Sequence, residues 1–207
     1  MKIILGSASP RRQQLLRDAG IPFELRLKDV HIPETYPPHL HCMKVPKYLA
    51  KLKAAALSKG LKADELLITA DTAVILDNQV LGKPQGREDA IRMLELLSDR
   101  KHVVVTGVCL TTTEKRNCFV VKTDVYFSKL RYEDIVYYVD TFKPFDKAGA
   151  YGIQEWIGYV GIERIDGSFY NVMGLPIHVL LRKINIICEE GFMLNNDHYS
   201  SAKGDGY

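Results

Sequence analysis

Two consecutive arginines stand in the first turn of the first helix that the sequence predicts. They close the segment Gly6-Ser7-Ala8-Ser9-Pro10-Arg11-Arg12, which separates an apolar run from a helical repeat of apolar positions. Ser9 suits the N-cap and Pro10 the first helical position, whereas each arginine opposes the helix dipole at a cost of roughly 0.3–1 kcal/mol. Backbone N–H groups, hydroxyls and guanidinium groups together favour an anion site suited to phosphates. A solvated arginine pair on an ordinary capped helix explains the segment equally well.

Other ionisable residues stand where predicted strands and loops meet. Asp71 directly follows the apolar strand 66–70, so its carboxylate must be paired, bound to a metal or placed at the mouth of a cleft. An ordinary acid in a turn explains Asp71 as well. Lys83, between a glycine and a proline, and Lys53, on a predicted helix, are candidates that a solvated or stem-buried lysine would also explain. Glu34 lies in a proline-rich loop, and its independent case is the weakest because loops are commonly acidic.

The motifs of several common classes of site are absent from the sequence. It contains no P-loop, no dinucleotide-binding glycine pattern and no nucleophile elbow. His39-x-His41-Cys42 has metal-ligand residue types but no second pair at a suitable spacing, so we do not expect zinc. No stripe of basic and aromatic residues indicates a nucleic acid polymer as partner, and the formal net charge is only +3.

Length and composition predict one globular domain. The chain has 207 residues, of which 46% are hydrophobic and 26% charged. No apolar run reaches the roughly 20 residues of a membrane span, and the N-terminus lacks a signal peptide, so we expect no membrane association. Four cysteines without C-x-x-C spacing favour a reduced, cytoplasmic protein with buried thiols.

The hydrophobic pattern predicts the fold class α/β (mixed α+β), because helices and strands alternate but antiparallel hairpins intervene. We expect a mixed, partly antiparallel sheet flanked by helices. Helices are predicted at 11–19, 46–57, 87–97, 132–141 and 176–187, and strands at 2–5, 23–27, 66–70, 74–76, 80–81, 102–113, 117–127 and 158–165. The polar stretch 195–207 is predicted to be frayed.

These residues together resemble the Maf family of nucleoside triphosphate pyrophosphatases over about residues 1–184. Several ordered segments carry the resemblance: Ser7-Ala8-Ser9-Pro10-Arg11-Arg12, Pro33-Glu34, Lys53, Ala70-Asp71-Thr72-Ala73-Val74, Leu81-Gly82-Lys83-Pro84, Thr106-Gly107-Val108, Asp146-Lys147-Ala148-Gly149-Ala150-Tyr151-Gly152-Ile153-Gln154 and the run 167–176. One such motif would be weak evidence, whereas this many in order is a strong signal. The tail and Trp156 depart from the family pattern.

The resemblance implies a single domain at 1–187, and the polar composition beyond it predicts a flexible tail at 188–207. It implies an elongated sheet, two lobes and a central cleft, similar to inosine triphosphate pyrophosphatases. Members of the family cleave nucleoside triphosphates between the α and β phosphates, require Mg²⁺ or Mn²⁺, and are cytoplasmic and often dimeric. We therefore expect a cytoplasmic homodimer that takes a nucleoside triphosphate and a divalent cation.

The resemblance also implies roles for individual residues. Asp71 matches the family's proposed general base. Glu34 and Asp71 are the acids that can hold the cation. The family positions that mark substrate choice are matched by Arg12, Thr72 and Gln154. Other cleft positions of the family are matched by Ser9, Arg11, Glu34, Lys53, Lys83 and Lys147. The pairs Asp71-Thr72 and Gly152-Ile153-Gln154 are typical of the subfamily that acts on dTTP and UTP. Activity on modified or methylated nucleotides, or a nucleotide-binding regulator of cell division, are the alternatives.

Overall fold

The protein is built on one seven-stranded mixed sheet with helices on both faces. The computed structural model describes residues 1–27 and 32–188. The strand order is β2-β1-β3-β5-β6-β7, and β4 pairs with β3 beside this path. The predicted mixed sheet flanked by helices is therefore confirmed. His31 of the predicted loop and the predicted frayed stretch lie outside the described residues.

The strands and helices have the following bounds. The strands are β1 (Lys2–Leu5), β2 (Glu24–Leu25), β3 (Glu65–Leu76), β4 (Gln79–Leu81), β5 (Lys101–Thr111), β6 (Arg116–Phe127) and β7 (Ile162–Asp166). The helices are α1 (Pro10–Asp18), α2 (Val45–Leu57), α3 (Arg87–Leu97), α4 (Tyr132–Phe142), α5 (Trp156–Gly161), α6 (Phe169–Met173) and α7 (Ile177–Cys188). In the described ranges, no helix combines the length and apolar character needed to cross a bilayer.

One edge of β3 is left without a strand partner at its middle. β5 pairs antiparallel with β3 along residues 67–75. On the opposite edge, β1 pairs in parallel with residues 65–68, and β4 pairs antiparallel with residues 74–76. On this edge, residues 69–73 therefore have no strand partner among the described residues, and the sheet has a gap between β1 and β4.

The two faces of the sheet are covered differently. Alternate residues of a strand point to opposite faces. Thr69 lies beneath α2, where its hydroxyl donates to the carbonyl oxygen of Ala50 at 2.9 Å. On the other face, Leu66 and Ile68 belong to an apolar cluster with α1 and α7, whereas Val74 and Leu76 belong to a second cluster with α3, α4 and α5. Two separate cores thus share one face, with the middle of β3 between them.

Polar residues occupy the space between the two cores. Asn171 on α6 is fully buried, and its side-chain amide donates to the carbonyl oxygen of Val104 at 3.2 Å and to the Thr123 hydroxyl at 3.0 Å. The Thr106 hydroxyl donates to the carbonyl oxygen of Asn171 at 3.0 Å. Since buried polar groups are stable only when hydrogen-bonded, these hydrogen bonds of Asn171 and Thr106 hold the short helix α6 against the sheet.

Two predicted elements are corrected by the structure. The strand predicted at 158–165 is a helix followed by a strand, α5 and β7. Its apolar residues cannot distinguish a buried helical turn from a strand by periodicity over so short a run. The strand predicted to end before Asp71 instead continues to Leu76 as β3, because β5 supplies a partner along its whole length. The sequence also missed α6, which is stabilised by its tertiary contacts.

The prediction of four reduced cysteines is wrong for one pair. Cys109 of β5 and Cys118 of β6 stand directly opposite each other and form a disulfide. The nine-residue separation in sequence hides this pairing, which arises only when the two strands come into register. Cys42 is a buried free thiol, as predicted, whereas Cys188 is partly exposed.

Buried His102 should make the fold less stable in weak acid. Its Nε2 lies 2.7 Å from the Tyr151 hydroxyl, and its burial lowers the pKa to about 3 despite the opposing charge of Asp124. The unfolded chain takes up this proton below pH 6.5, so stability is lost as the pH falls from 6.5 towards 3. Between pH 7.5 and 5.0 we expect His102 to contribute about 2 kcal/mol of that loss.

Urea unfolding of His102→Gln at the two pH values tests this expectation. Glutamine can still bond the Tyr151 hydroxyl but does not titrate, so the variant should lose about 2 kcal/mol less stability than the wild type. His178→Gln, a change at an exposed position on α7, is the matched control. Equal pH dependence in His102→Gln and the wild type would contradict the assignment.

Candidate active site

A cavity of about 650 Å³ opens at the unpaired edge of β3. All ten residues predicted for the site line it: Ser9, Arg11, Arg12, Glu34, Lys53, Asp71, Thr72, Lys83, Lys147 and Gln154. Side chains of neighbouring residues Asp71 and Thr72 must point to opposite faces of β3. Both nevertheless line the cavity, which therefore wraps around the strand edge and reaches both faces of the sheet.

Arg12 closes the unpaired edge of the strand. Its Nη1 donates to the carbonyl oxygen of Ala70 at 3.0 Å and to the Ser7 hydroxyl at 3.2 Å. Its Nε donates to the carbonyl oxygen of Gly174 at 2.8 Å, and its Nη2 donates to the Thr72 hydroxyl at 3.1 Å. Burial lowers the pKa of the guanidinium, partly offset by the charge of Asp71. Most of its donors are thus committed to the protein, so Arg12 is less available to phosphates than its position in sequence indicated.

Lys53 holds the two candidate metal-binding acids together. Its Nζ lies 2.6 Å from Oδ1 of Asp71 and 3.1 Å from Oε1 of Glu34. Partial burial favours the neutral Glu34 carboxyl, but Lys53 and Lys83 outweigh it, so the pKa of Glu34 lies below its ordinary value. Asp71 is only 8% exposed. One ammonium group therefore occupies the point on which both carboxylates converge.

The close approach of α2 to β5 puts Lys53 above Asp71. Gly107 stands directly opposite Asp71 in the ladder of β3 and β5. A Cβ atom at Gly107 would lie 2.3 Å from the backbone nitrogen of Lys47 on α2. Any larger residue would push the helix away, so the absence of a side chain at Gly107 is what allows α2 to pack here.

Arg11, Asp146 and Lys147 form a second charged group at the cavity wall. Asp146 pairs with Nη1 of Arg11 at 2.7 Å through Oδ2 and with Nζ of Lys147 at 2.8 Å through Oδ1. Partial burial opposes ionisation of Asp146, but the two cations outweigh it and hold its pKa below the ordinary value. Counted over the described residues, five basic and three acidic side chains line the cavity. The site therefore keeps an excess of positive charge for an anionic ligand.

Thr72 and Gln154 present polar groups to the cavity from the other face of β3. Thr106 donates its proton to Asn171, so the Thr72 hydroxyl, 3.0 Å from that of Thr106, donates to Thr106 and accepts from Arg12. Oε1 of Gln154 is buried and has no hydrogen-bond partner among residues 1–27 and 32–188. A buried acceptor without a donor is costly in a native protein, so Gln154 is suited to a ligand that supplies an N–H group.

Several residues of the site were not assigned a role from the sequence. Asp146 and Glu155 flank the predicted residues Lys147 and Gln154, and both form ion pairs with the Lys147 ammonium. Their adjacency to the predicted residues was the available signal. Thr106 lay in a recognised motif, but its contact with Thr72 depends on the pairing of β3 with β5.

The acids fit a cation that arrives with an anionic ligand. Within the described ranges, no cluster of three or more His, Cys, Asp or Glu side chains could hold a metal. Glu34 and Asp71 already share one cation, the Lys53 ammonium. Mg²⁺ commonly binds through one or two carboxylates and completes its shell with water and substrate phosphates. The pair therefore fits Mg²⁺ or Mn²⁺ in the presence of phosphate better than a tightly held resident metal.

Replacing Arg12 should destabilise the fold as well as the site. Arg12→Met leaves the carbonyl oxygens of Ala70 and Gly174 without their donor, and we expect a loss of about 2–4 kcal/mol in unfolding free energy. Arg11→Met removes the neighbouring arginine, whose contact with Asp146 is much more exposed, and should cost less than about 1 kcal/mol. Urea unfolding measures both. Equal losses would contradict the structural role of Arg12.

The chain is similar to known proteins over most of its length. The dTTP/UTP pyrophosphatase of Porphyromonas gingivalis is 54% identical over 185 residues, which are 88% of this chain and 92% of that protein. That of Bacteroides thetaiotaomicron is 53% identical over 180 residues, 86% and 92% of the two chains. The solved structure of the Staphylococcus aureus Ham1 protein is similar in fold alone, with a TM-score of 0.53, 16% identity, and coverage of 92% of this chain and 100% of that one. Residues 2–186 match the family model of Maf-like proteins, and the chain belongs to the Maf family.

Proposed function

We propose that this protein hydrolyses dTTP and UTP between the α and β phosphates, releasing the nucleoside monophosphate and pyrophosphate. The observation that carries the proposal is the convergence of ten predicted residues on one cavity. The chain is also 54% identical to a relative named dTTP/UTP pyrophosphatase, and the aligned region spans nearly all of both proteins. The cavity is large enough for a small-molecule ligand by the usual range of roughly 300–1,000 Å³.

The cations of the cavity are suited to bind and orient the triphosphate. The ligand carries roughly four negative charges, and catalysis of phosphoryl transfer is mostly positioning and charge stabilisation. Lys83 is 56% exposed and is held only at 3.5 Å from Glu34, so it can turn towards phosphate at little cost. Lys147 is buried at the wall and Lys53 is beside the acids. These three ammonium groups surround the space that the phosphates would occupy.

Asp71 is the residue proposed to act on the attacking water. Its carboxylate can accept a proton from, or orient, the water whose oxygen forms a bond to the α phosphorus. The bond from that phosphorus to the bridging oxygen breaks, and pyrophosphate leaves with the electron pair. Lys53, at 2.6 Å, keeps the Asp71 carboxylate fixed in the cavity. The Lys53 pairing therefore supports a positioned carboxylate at this point.

Glu34 and Asp71 are the residues proposed to hold a divalent cation, Mg²⁺ or Mn²⁺, together with the phosphates. When bound, such a cation neutralises developing charge on phosphate oxygens and makes a bound water more acidic. Two carboxylates that converge on the Lys53 ammonium support this proposal.

Gln154 and Thr72 are proposed to read the base. The N3–H group of thymine or uracil is a donor for the unpartnered Oε1 of Gln154. Cytosine has an acceptor at that position, so it would leave Oε1 buried and unpaired. A site built to bond a donor discriminates strongly against a ligand that lacks it.

A cytoplasmic location and a homodimeric state complete the proposal, and both rest on the family resemblance alone. Light scattering of the purified protein measures the oligomeric state.

Asp71→Asn should abolish turnover but not nucleotide binding. The substitution removes the proton acceptor while leaving the phosphate-binding cations, so we expect kcat for dTTP to fall at least about 100-fold. Pyrophosphate release with Mg²⁺ or Mn²⁺, and its loss in EDTA, measures turnover, and calorimetry measures dTTP affinity. Asp64→Asn, at an exposed position before β3, is the control.

Turnover of Asp71→Asn near the wild-type rate would remove Asp71 from the mechanism. Tight dTTP binding by the wild type with negligible pyrophosphate release would instead favour a nucleotide-binding regulator and contradict the proposed reaction.

Gln154→Leu should weaken the preference for uracil and thymine. Leucine has a similar length but no acceptor, so the ratio of kcat/KM for dTTP to that for CTP should fall about tenfold or more. The measurement is pyrophosphate release from dTTP, UTP, CTP, 7-methyl-GTP, ITP, ATP and GTP. Preference of the wild-type protein for a purine or a methylated nucleotide would overturn the proposed substrate class.

A further inference from the structure

Glu155 lies between the lysine proposed to bind phosphate and the core of the protein. Its Oε1 is 3.0 Å from Nζ of Lys147. Its Oε2 accepts a hydrogen bond from the Tyr138 hydroxyl. One carboxylate thus joins an ammonium group of the cavity wall to a side chain of α4.

Tyr138 is a fixed anchor for this carboxylate. It is fully buried, and its ring stacks on Phe142 with centroids 5.2 Å apart. Burial, reinforced by the hydrogen bond to Glu155, raises the pKa of Tyr138. The hydroxyl therefore stays protonated and donates a hydrogen bond to the carboxylate. The same hydroxyl accepts the backbone N–H of Gly152 at 3.0 Å. Tyr138 therefore holds both Glu155 and the start of the Gly152-Ile153-Gln154 segment.

Gly152 is the point at which the phosphate and base sides of the cavity meet. A Cβ atom at Gly152 would lie 2.9 Å from Cδ of Glu155 and 3.0 Å from Cε of Lys147. It would also lie 3.1 Å from Nε2 of Gln154. Three side chains therefore pack around one backbone position, and a displacement of Glu155 there reaches both Lys147 and Gln154.

The carboxylates also set the direction of the Lys147 ammonium. Its Nζ donates a hydrogen bond to Oδ1 of Asp146 at 2.8 Å and forms an ion pair with Oε1 of Glu155 at 3.0 Å. The side chain is 8% exposed and lines the cavity. Because a lysine ammonium has three donors, it keeps a donor for a ligand oxygen while it contacts both carboxylates.

We infer that Glu155, anchored by Tyr138, is a positioning residue that couples phosphate binding by Lys147 to base reading by Gln154. The inference rests on the proposed function, since it concerns the two ends of the same nucleotide. Its consequence is that one substitution outside the predicted site changes both triphosphate affinity and base preference. A residue that merely stabilised the fold would change neither the triphosphate affinity nor the base preference of the folded protein.

The test compares Glu155→Gln and Tyr138→Phe with two matched controls. Glutamine keeps the size of Glu155 but loses its charge, and phenylalanine keeps the ring of Tyr138 but loses its hydroxyl. The controls are Glu163→Gln and Tyr137→Phe. Glu163 is exposed on β7, and Tyr137, on the same helix as Tyr138, is 51% exposed. Calorimetry in EDTA gives the Kd of dTTP and of CTP without turnover, and pyrophosphate release gives kcat and KM. Thermal melting confirms that each variant is folded.

Both test variants should bind dTTP about tenfold more weakly than the wild type, and their preference for dTTP over CTP should fall several-fold. Lys147→Met should weaken dTTP and CTP binding equally and leave the preference unchanged. The two controls should match the wild type. The double variant of Glu155→Gln and Tyr138→Phe should lose little more dTTP affinity than the more affected single variant, because the two residues act as one unit.

Wild-type affinity and preference in both test variants would overturn the inference. So would a loss of affinity with unchanged preference, because Glu155 would then serve only the phosphate end. If one variant does not fold, the other decides. Absence of wild-type pyrophosphate release from dTTP would refute the proposed reaction alone, whereas the Kd ratios would still test the coupling; a wild-type protein without preference for dTTP over CTP would refute both.

Discussion

The candidate site depends on the contact of the partly buried Arg12 guanidinium with the unpaired edge of β3. Between the segments paired to β1 and β4, the strand exposes carbonyl groups that no neighbouring strand can bond. Arg12 donates to one of them, that of Ala70, and to the carbonyl oxygen of Gly174 after α6. A buried cation with this many acceptors is stable, whereas the same backbone without it would have unpaired carbonyls. The gap in the sheet can therefore exist as a cavity.

The gap also explains how neighbouring residues reach one cavity from opposite faces of the sheet. Asp71 points towards α2 and meets Lys53, whereas Thr72 points towards α6 and meets Arg12. In a fully paired strand the sheet would separate these side chains. At an open edge, a ligand can reach around the strand and contact both. The cavity thus has the Lys53 ion pairs on one face and the hydrogen-bonding groups of Thr72 and Arg12 on the other.

Two lysines of the cavity are paired with carboxylates before any ligand arrives. Lys53 is paired with Asp71 and Glu34, and Lys147 with Asp146 and Glu155. Buried cations without such partners would be costly, so the acids stabilise the site in its free state. They also restrain the cations, which reduces the conformational entropy lost when a nucleotide binds. The same acids must share or release these lysines to phosphate, so affinity is moderated in return.

The sequence by itself determined the fold class, most element positions and the membership of the cavity. Those features follow from local periodicity and from ordered motifs such as Ala70-Asp71-Thr72. Only the tertiary structure decided that β3 runs through Asp71, that Cys109 meets Cys118, and that Arg12 commits most of its donors to the protein. It alone joined Glu155 to Tyr138. These features depend on strand register and on contacts between residues far apart in sequence, which local patterns do not encode.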